Sequence, residues 1–186
     1  MPDHPIVPIV DRALRDLRAW LDSNTWIGRE RELVSLFAFG HLVPLVSPRS
    51  VLRSAAQIAI EVGVKQTLLA DPTQARRKEY VCKDLVIWPG AFMTCWNGAG
   101  EPEQVPLAIL EWKRGGYRTP LSPRKPFSHA DHDQKWLMAY TKRFPGCVGY
   151  SVALDRTTAG ERLRVAKIVG GIMGPSEPLG RDPTTV

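Results

Sequence analysis

Two short apolar segments of this chain carry charged residues where a buried strand should carry none. One is residues 107–113, with the sequence LAILEWK, and the other is residues 83–87, KDLVI. Their length and their branched aliphatic side chains are typical of strands buried on both faces. Burying a carboxylate without a partner costs free energy. The acids of these strands therefore predict a positive group between them, and a divalent metal ion is the first candidate.

The spacing of the charged residues supports a shared site. Residues i and i+2 of a strand project to the same face, so Glu111 and Lys113 are predicted to project together, with Trp112 on the opposite face. Neighbouring strands lie about 4.8 Å apart, which would let Asp84 and Glu111 reach one Mg²⁺ ion. The alternative is that Asp84 pairs with an arginine and Lys113 ends its strand in solvent.

The charge of the chain favours an anionic partner. Lysine and arginine number 25 against 19 acidic residues, which gives a formal charge of +6. Nucleic acid is the commonest partner of a basic protein, although a basic surface can also lack a binding role. No apolar segment approaches the length of a membrane span, and no signal peptide is recognisable. We therefore expect a soluble cytoplasmic protein that binds DNA and no membrane.

The order of predicted elements indicates an α/β fold with a mixed central sheet flanked by helices. Residues 1–173 are predicted to form one domain, in which residues 1–27 are an N-terminal helical extension, and residues 174–186 are expected to be a disordered tail. The predicted helices are residues 11–21, 29–42, 50–58 and 129–143, and the main predicted strands are residues 58–64, 79–88, 105–113, 148–154 and 163–169.

The helix over residues 29–42 supplies a third acid. At about 100° per residue, Glu30 lies in the middle of the apolar face formed by Val34 and Phe37, whereas Glu32 lies towards its rim. We therefore favour Glu30 over Glu32 as a site residue. The alternative is that both acids only interact favourably with the helix dipole in its first turn.

These residues resemble the signature of the PD-(D/E)XK nuclease superfamily, in which an acid on one strand is followed by an acid and a lysine two residues apart on the next. Residues 28–34, GRERELV, are similar to the segment that opens archaeal-type Holliday-junction resolvases, where the first glutamate is catalytic. Residues 140–146, YTKRFPG, are similar to a helix-to-strand turn of that branch. Lys83 departs from the signature, which has proline at that position.

The resemblance implies a restriction-endonuclease-like αβββαβ core and a Mg²⁺- or Mn²⁺-dependent endonuclease acting on DNA, branched or structured DNA included. It implies that Asp84, Glu111 and the backbone carbonyl of Trp112 hold the metal ion, that Lys113 positions the attacking water, and that Glu30 holds a second metal ion or an outer water. Homodimers are usual in the resembled branch. Residues 133–136, DQKW, resemble the glutamine-bearing helix of virus-type replication-repair nucleases, so Gln134 is a further candidate, the alternative being an exposed polar helix face.

A basic segment follows Lys113 and is predicted to contact the phosphate backbone. Two alternatives to a nuclease remain at this point. One is a catalytically silent protein of the same fold that binds nucleic acid or a protein partner, and the other is a metal-dependent hydrolase of small phosphate esters. The predicted nucleic-acid-binding residues are Arg114, Arg118, Arg124, Lys125 and Lys135.

Overall fold

A mixed sheet of seven strands forms the middle of the fold. The structure is a computed structural model that describes residues 4–26, 28–66, 80–101, 103–114, 130–154, 163–175 and 177–178. Its strands are β1 (Ile58–Lys65), β2 (Tyr80–Ile87), β3 (Ala108–Arg114), β4 (Val148–Leu154), β5 (Leu163–Val169), β6 (Ile172–Met173) and β7 (Glu177–Pro178). The helices are α1 (Val7–Ser23), α2 (Glu30–Ser35), which continues as a π-helix (Leu36–Leu42) and a 3₁₀ turn (Val43–Leu45), and α3 (Ala130–Arg143).

Strands β1, β2 and β3 form an antiparallel meander. Strand β4 pairs with β3 in parallel, and α3 lies between them in the chain, as a parallel connection requires. Strand β5 is antiparallel to β4, and the two short strands β6 and β7 pair with β5. The predicted α/β class with a mixed sheet flanked by helices is therefore confirmed.

Helices cover both faces of the sheet. On one face, α1 and the α2 region pack against β3 through Leu17, Phe37 and Trp112. The ring centroids of Phe37 and Trp112 lie 5.1 Å apart. On the other face, α3 packs through Trp136 and Tyr140. The predicted N-terminal extension thus contributes the whole apolar stripe of α1 to the main core. No helix within the described residues is long and apolar enough to cross a membrane.

Several element boundaries differ from those predicted. Helix α1 begins at Val7 because Pro8 fits the first helical turn, where its missing N–H is not needed. The helix predicted over residues 50–58 is only a 3₁₀ turn (Ala55–Gln57), since the Gln57 side chain accepts hydrogen bonds from the backbone amides of Arg53 and Ser54. Strand β7 lies within the segment predicted as a tail, and disorder of residues 179–186, outside the described residues, stays a prediction.

An irregularity in β1 and β2 decides which way the site residues of β2 point. Val86 packs on the α3 side of the sheet, and so does Val81, five residues earlier, so the alternation of side chains shifts between them. Glu61, between the Ile60–Leu85 and Val62–Lys83 pairs, has a φ of 52°, which a non-glycine residue rarely adopts. The shift turns Lys83 towards α3, where its Nζ lies over the ring of Trp136.

Candidate active site

Strands β2 and β3 separate at one end of the sheet and leave a fork. Their pairing ends at Leu85 and Leu110, and the next residues along the two strands are Asp84 and Glu111. The backbone amide of Trp112, past the last pair, donates a hydrogen bond of 2.7 Å to Oδ2 of Asp84. Asp84 therefore takes the place of the missing strand partner, and its carboxylate lies inside the fork.

Glu30 reaches the same fork from α2. Its Oε2 accepts a hydrogen bond of 3.0 Å from the backbone amide of Arg114, two residues beyond the Trp112 amide that binds Asp84. Burial raises the pKa of Glu30; the nearby Lys113 opposes this rise and Asp84 adds to it. The α2 acid and the β2 acid are therefore close enough to interact electrostatically.

Glu32 has a different role from Glu30. Its side chain is exposed and accepts a hydrogen bond of 2.7 Å from the backbone amide of Arg29, which closes a capping box at the start of α2. Glu30 is half-buried and lies at the fork. The placement of the two side chains therefore favours Glu30 as the site residue, as the apolar face of the helix predicts.

Glu111 is buried on the α3 side of the sheet. Only 5% of the residue is exposed, and its carboxylate forms an ion pair with the ammonium group of Lys83, which is itself 6% exposed. Nζ of Lys83 also lies 3.8 Å from the ring centroid of Trp136 on α3. Burial raises the pKa of Glu111 well above its ordinary value; Lys83 opposes this rise, and the negative charge of Asp84 adds to it.

Lys113 connects β3 with α3 beside the fork. Its Nζ donates a hydrogen bond of 3.0 Å to the backbone carbonyl of Trp112 and lies 2.8 Å from Oδ2 of Asp133 on α3. Burial alone would lower the pKa of Lys113, but the hydrogen bond and charge of Asp133, together with Glu30 and Asp84, raise it. Lys113 is therefore a cation at neutral pH, which can donate hydrogen bonds and cannot accept a proton.

Gln134 lies on α3, directly after Asp133. Its Nε2 donates a hydrogen bond of 3.2 Å to Oγ of Ser151 on β4, and Ser151 is the partner of Glu111 in the parallel pairing of β3 and β4. Gln134 thus attaches the start of α3 to the strand next to Glu111. This placement suits a residue that orders the site.

The predicted nucleic-acid-binding residues are only partly described. Arg114 is half-buried, and its Nε has no hydrogen-bond partner among the described residues. Lys135 is exposed on α3. Arg118, Arg124 and Lys125 lie outside the described residues.

Carboxylates outnumber ammonium groups among the described residues of the fork. Four carboxylates interact there with two ammonium groups. Oxygen ligands and an excess of negative charge are what Mg²⁺ and Mn²⁺ prefer. The carboxylates belong to Glu30, Asp84, Glu111 and Asp133, and the ammonium groups belong to Lys83 and Lys113.

The carboxylate oxygens of the fork suit a hard divalent cation, but their present positions do not form a coordination site for one. Among the described residues, no three His, Cys, Asp or Glu side chains are grouped closely enough to hold a metal ion. Glu111 is turned towards Lys83, and the Trp112 carbonyl, the predicted backbone ligand, accepts a hydrogen bond from Lys113. Metal binding therefore requires these two lysines to move.

A cavity of about 290 Å³ opens on the α2 side of the fork. Asp84 and Glu30 line it, whereas Glu111 and Lys113 do not. Arg29 and Arg31 also line it, and Arg31 forms an ion pair with Glu61 at the cavity wall. The cavity thus places two guanidinium groups, which can each donate two hydrogen bonds to one anion, beside the carboxylates of Glu30, Glu61 and Asp84.

Two residues of the fork were not predicted as site residues. Asp133 holds Lys113, and the available signal was its position directly before Gln134 at the start of a helix. Lys83 holds Glu111, yet regular strand alternation would place it on the opposite face from Glu111. Only the irregularity between Val81 and Val86 brings it there, and no residue pattern in β2 signals that shift.

Comparison of the chain with protein-family models, with curated proteins and with solved structures gave no match.

Proposed function

We propose that this protein is a metal-dependent endonuclease of the restriction-endonuclease-like fold that hydrolyses phosphodiester bonds in DNA. The order of elements from α2 to β4 is helix, three strands, helix, strand, which is the αβββαβ order that the sequence resemblance implies. Asp84 lies on the second strand of that series, and Glu111 and Lys113 lie on the third. These positions of the candidate residues support the proposal.

The observation that carries the proposal is the hydrogen bonding of β3 at the fork. The backbone amides of Trp112 and Arg114, two residues apart on β3, donate hydrogen bonds to the carboxylates of Asp84 and Glu30. These two acids come from β2 and α2. Lys113 binds the carbonyl between the two amides. A strand end that binds acids from two other elements, next to a lysine of its own, is a costly arrangement for a purely structural site.

The residues of this chain have distinct roles in the proposed reaction. Asp84, Glu111 and the Trp112 carbonyl would hold Mg²⁺ or Mn²⁺, which lowers the pKa of a bound water and offsets the charge of the phosphate. Lys113 remains protonated, so it donates a hydrogen bond to the attacking water or to a phosphate oxygen. Asp133 keeps the Lys113 side chain in place, and Glu30 orients water on the α2 side. A 5′-phosphate product is implied by the resemblance.

A cleavage panel tests the proposal. Purified protein is incubated with branched, single-stranded and duplex DNA in the presence of Mg²⁺, Mn²⁺ or EDTA, beside Asp84→Asn protein prepared in the same way. We expect cleavage of at least one DNA form with metal and none with EDTA or with the variant. Equal cleavage by the Asp84→Asn protein would point to a contaminating nuclease, and no cleavage of any DNA form would contradict the proposal.

A second function is favoured by the ion pair of Lys83 with Glu111. Because an internal cation already occupies one proposed ligand, the chain would also suit a catalytically silent protein that keeps the fold and binds nucleic acid. In that case DNA binding in a gel-shift assay would not depend on metal, and no cleavage would accompany it. Phosphate contacts also predict that binding weakens steeply with salt, whereas binding of a protein partner would depend less on salt.

The two acids of α2 provide a matched pair of variants. Glu30→Gln removes a charge at the fork and is expected to lower the cleavage rate about tenfold or more. Glu32→Gln removes a charge of the same kind from the capping box and is expected to change the rate less than about twofold, with a loss of about 0.5 kcal/mol in stability. Initial cleavage rates and thermal unfolding of the two variants check this. An equal loss of rate in both would show that α2 acts only through its stability.

The pH dependence of metal binding follows from the raised pKa values of Glu30 and Glu111. Each of these carboxyl groups binds its proton more tightly in the folded protein than in the unfolded chain, which stabilises the metal-free protein at low pH. This stabilisation is lost as the pH rises through the pKa of the group in the folded protein. Metal ligation requires the carboxylates, so affinity increases over the same range. We therefore expect Mn²⁺ to raise Tm more at about pH 8 than at about pH 6. A Tm increment that is the same at both pH values would contradict this assignment.

A further inference from the structure

Lys83 is the one lysine or arginine that is buried among the described residues. Its ammonium group lies between the sheet and α3, where it pairs with Glu111 and lies over the face of Trp136. A lysine that only solubilised a strand would extend to water instead. Burial of an ammonium group is tolerated when a carboxylate and an aromatic ring both stabilise it, and Lys83 has both.

The surroundings hold this ammonium group in place. Trp136 is 2% exposed, its indole N–H donates a hydrogen bond of 2.7 Å to Oε1 of Gln66, and its ring stacks on Tyr140 with centroids 4.7 Å apart. The irregularity in β2 turns Lys83 to the side where Glu111 lies. The ring of Trp136 and the backbone of β2 therefore hold the Lys83 ammonium group next to the carboxylate of Glu111.

We propose that Lys83 is an internal competitor of the metal ion, which keeps Glu111 paired until a divalent cation displaces it; this inference rests on the proposed nuclease function. A cation in contact with a ligand carboxylate neutralises it and repels a second cation, and both effects are strong where little water is present. Lys83 thereby weakens metal binding and stabilises the metal-free protein. Binding of the metal ion and release of Lys83 from Glu111 become a single coupled step.

Removal of the ammonium group tests the competition directly. Lys83→Met keeps the length and the contact with Trp136 but carries no charge. Mn²⁺ affinity is measured by calorimetry without DNA at several pH values between about 7 and 9, so that a proton which replaces the ammonium group on Glu111 is recognised by the pH dependence of binding. We expect Lys83→Met to bind Mn²⁺ about tenfold more tightly than the wild type or better. Its Tm should be lower without metal, and Mn²⁺ should raise that Tm by more than in the wild type.

A matched control separates this effect from net charge. Lys142→Met also removes one lysine charge, at an exposed position in the last turn of α3, nine residues along the helix from Asp133. It is expected to bind Mn²⁺ with wild-type affinity. A similar gain of affinity in Lys142→Met would assign the effect to overall charge and overturn the role of Lys83.

The remaining outcomes distinguish the two proposals. If the wild type and Lys83→Met bind Mn²⁺ equally, Lys83 is not a competitor, and the nuclease proposal is unaffected. If both are folded and neither binds Mn²⁺, the metal site and the nuclease proposal fail together.

A second measurement applies if Lys83→Met does not fold. The ammonium resonance of Lys83 in the wild-type protein should shift when Mg²⁺ is added, and Lys83→Arg identifies that resonance by its disappearance. A Lys83 resonance that Mg²⁺ at saturating concentration leaves unchanged would overturn the inference.

Discussion

Lys113→Ala protein is expected to cleave DNA about 10²- to 10⁴-fold more slowly than the wild type while it binds DNA with similar affinity. The reason is that Lys113 is held as a cation by Asp133 and Glu30, at the carbonyl that the metal ion would use. Its removal deletes the donor for the attacking water and leaves the acids in place. Single-turnover cleavage and gel-shift titration at one salt concentration separate the two effects.

Lys142→Ala is the control for this prediction, because it removes a lysine of the same type from an exposed site. It should cleave at the wild-type rate. Cleavage by purified Lys113→Ala protein at the wild-type rate would refute the proposed role. A parallel loss of cleavage and of binding would instead assign Lys113 to contact with the DNA backbone.

Asp84→Asn protein is expected to lose DNA cleavage by about 100-fold or more and to bind Mn²⁺ more weakly. Asparagine keeps an oxygen that can accept the hydrogen bond from the Trp112 amide, so the strand geometry is retained. The charge of Asp84 raises the pKa of both Glu30 and Glu111, so Asp84 repels each of these two carboxylates. Removal of that charge should therefore leave the metal-free protein as stable as the wild type, or more stable.

Stability is the readout that distinguishes a site residue from a structural one. If Asp84 served the fold, Asp84→Asn would unfold at a lower temperature than the wild type. Asp16→Asn, at an exposed position of α1 paired with Arg12, is a matched control that should change neither cleavage nor metal binding. A lower Tm together with unchanged Mn²⁺ affinity would contradict the role of Asp84 as a ligand.

The five long strands, β1 to β5, could be predicted from the sequence because their signals are local. The apolar segment of residues 107–113 and the acids at its end indicate a buried strand with a polar terminus, and β3 is found there. The helical spacing around Glu30 and Phe37 likewise indicates which face of α2 is buried. The same spacing places Glu32 towards the rim of that face, and its side chain is exposed.

The details of the site could not be predicted because they depend on contacts between distant segments. The position of Lys83 follows from a shift in alternation that involves Glu61 on a neighbouring strand. The partner of Lys113 is Asp133, which comes from a helix that follows a segment outside the described residues. Side-chain periodicity assumes regular strands, so it cannot report either contact.

The most direct test of the metal site is the position of a metal ion in a crystal structure of the protein with Mn²⁺, located by anomalous diffraction. We expect one strong peak in the fork, bound by carboxylate oxygens of Asp84 and Glu111 and by the Trp112 carbonyl, with Lys83 moved from Glu111 and Lys113 moved from the Trp112 carbonyl. A saturated crystal without a peak between Asp84 and Glu111, in which Lys83 still pairs with Glu111, would contradict it.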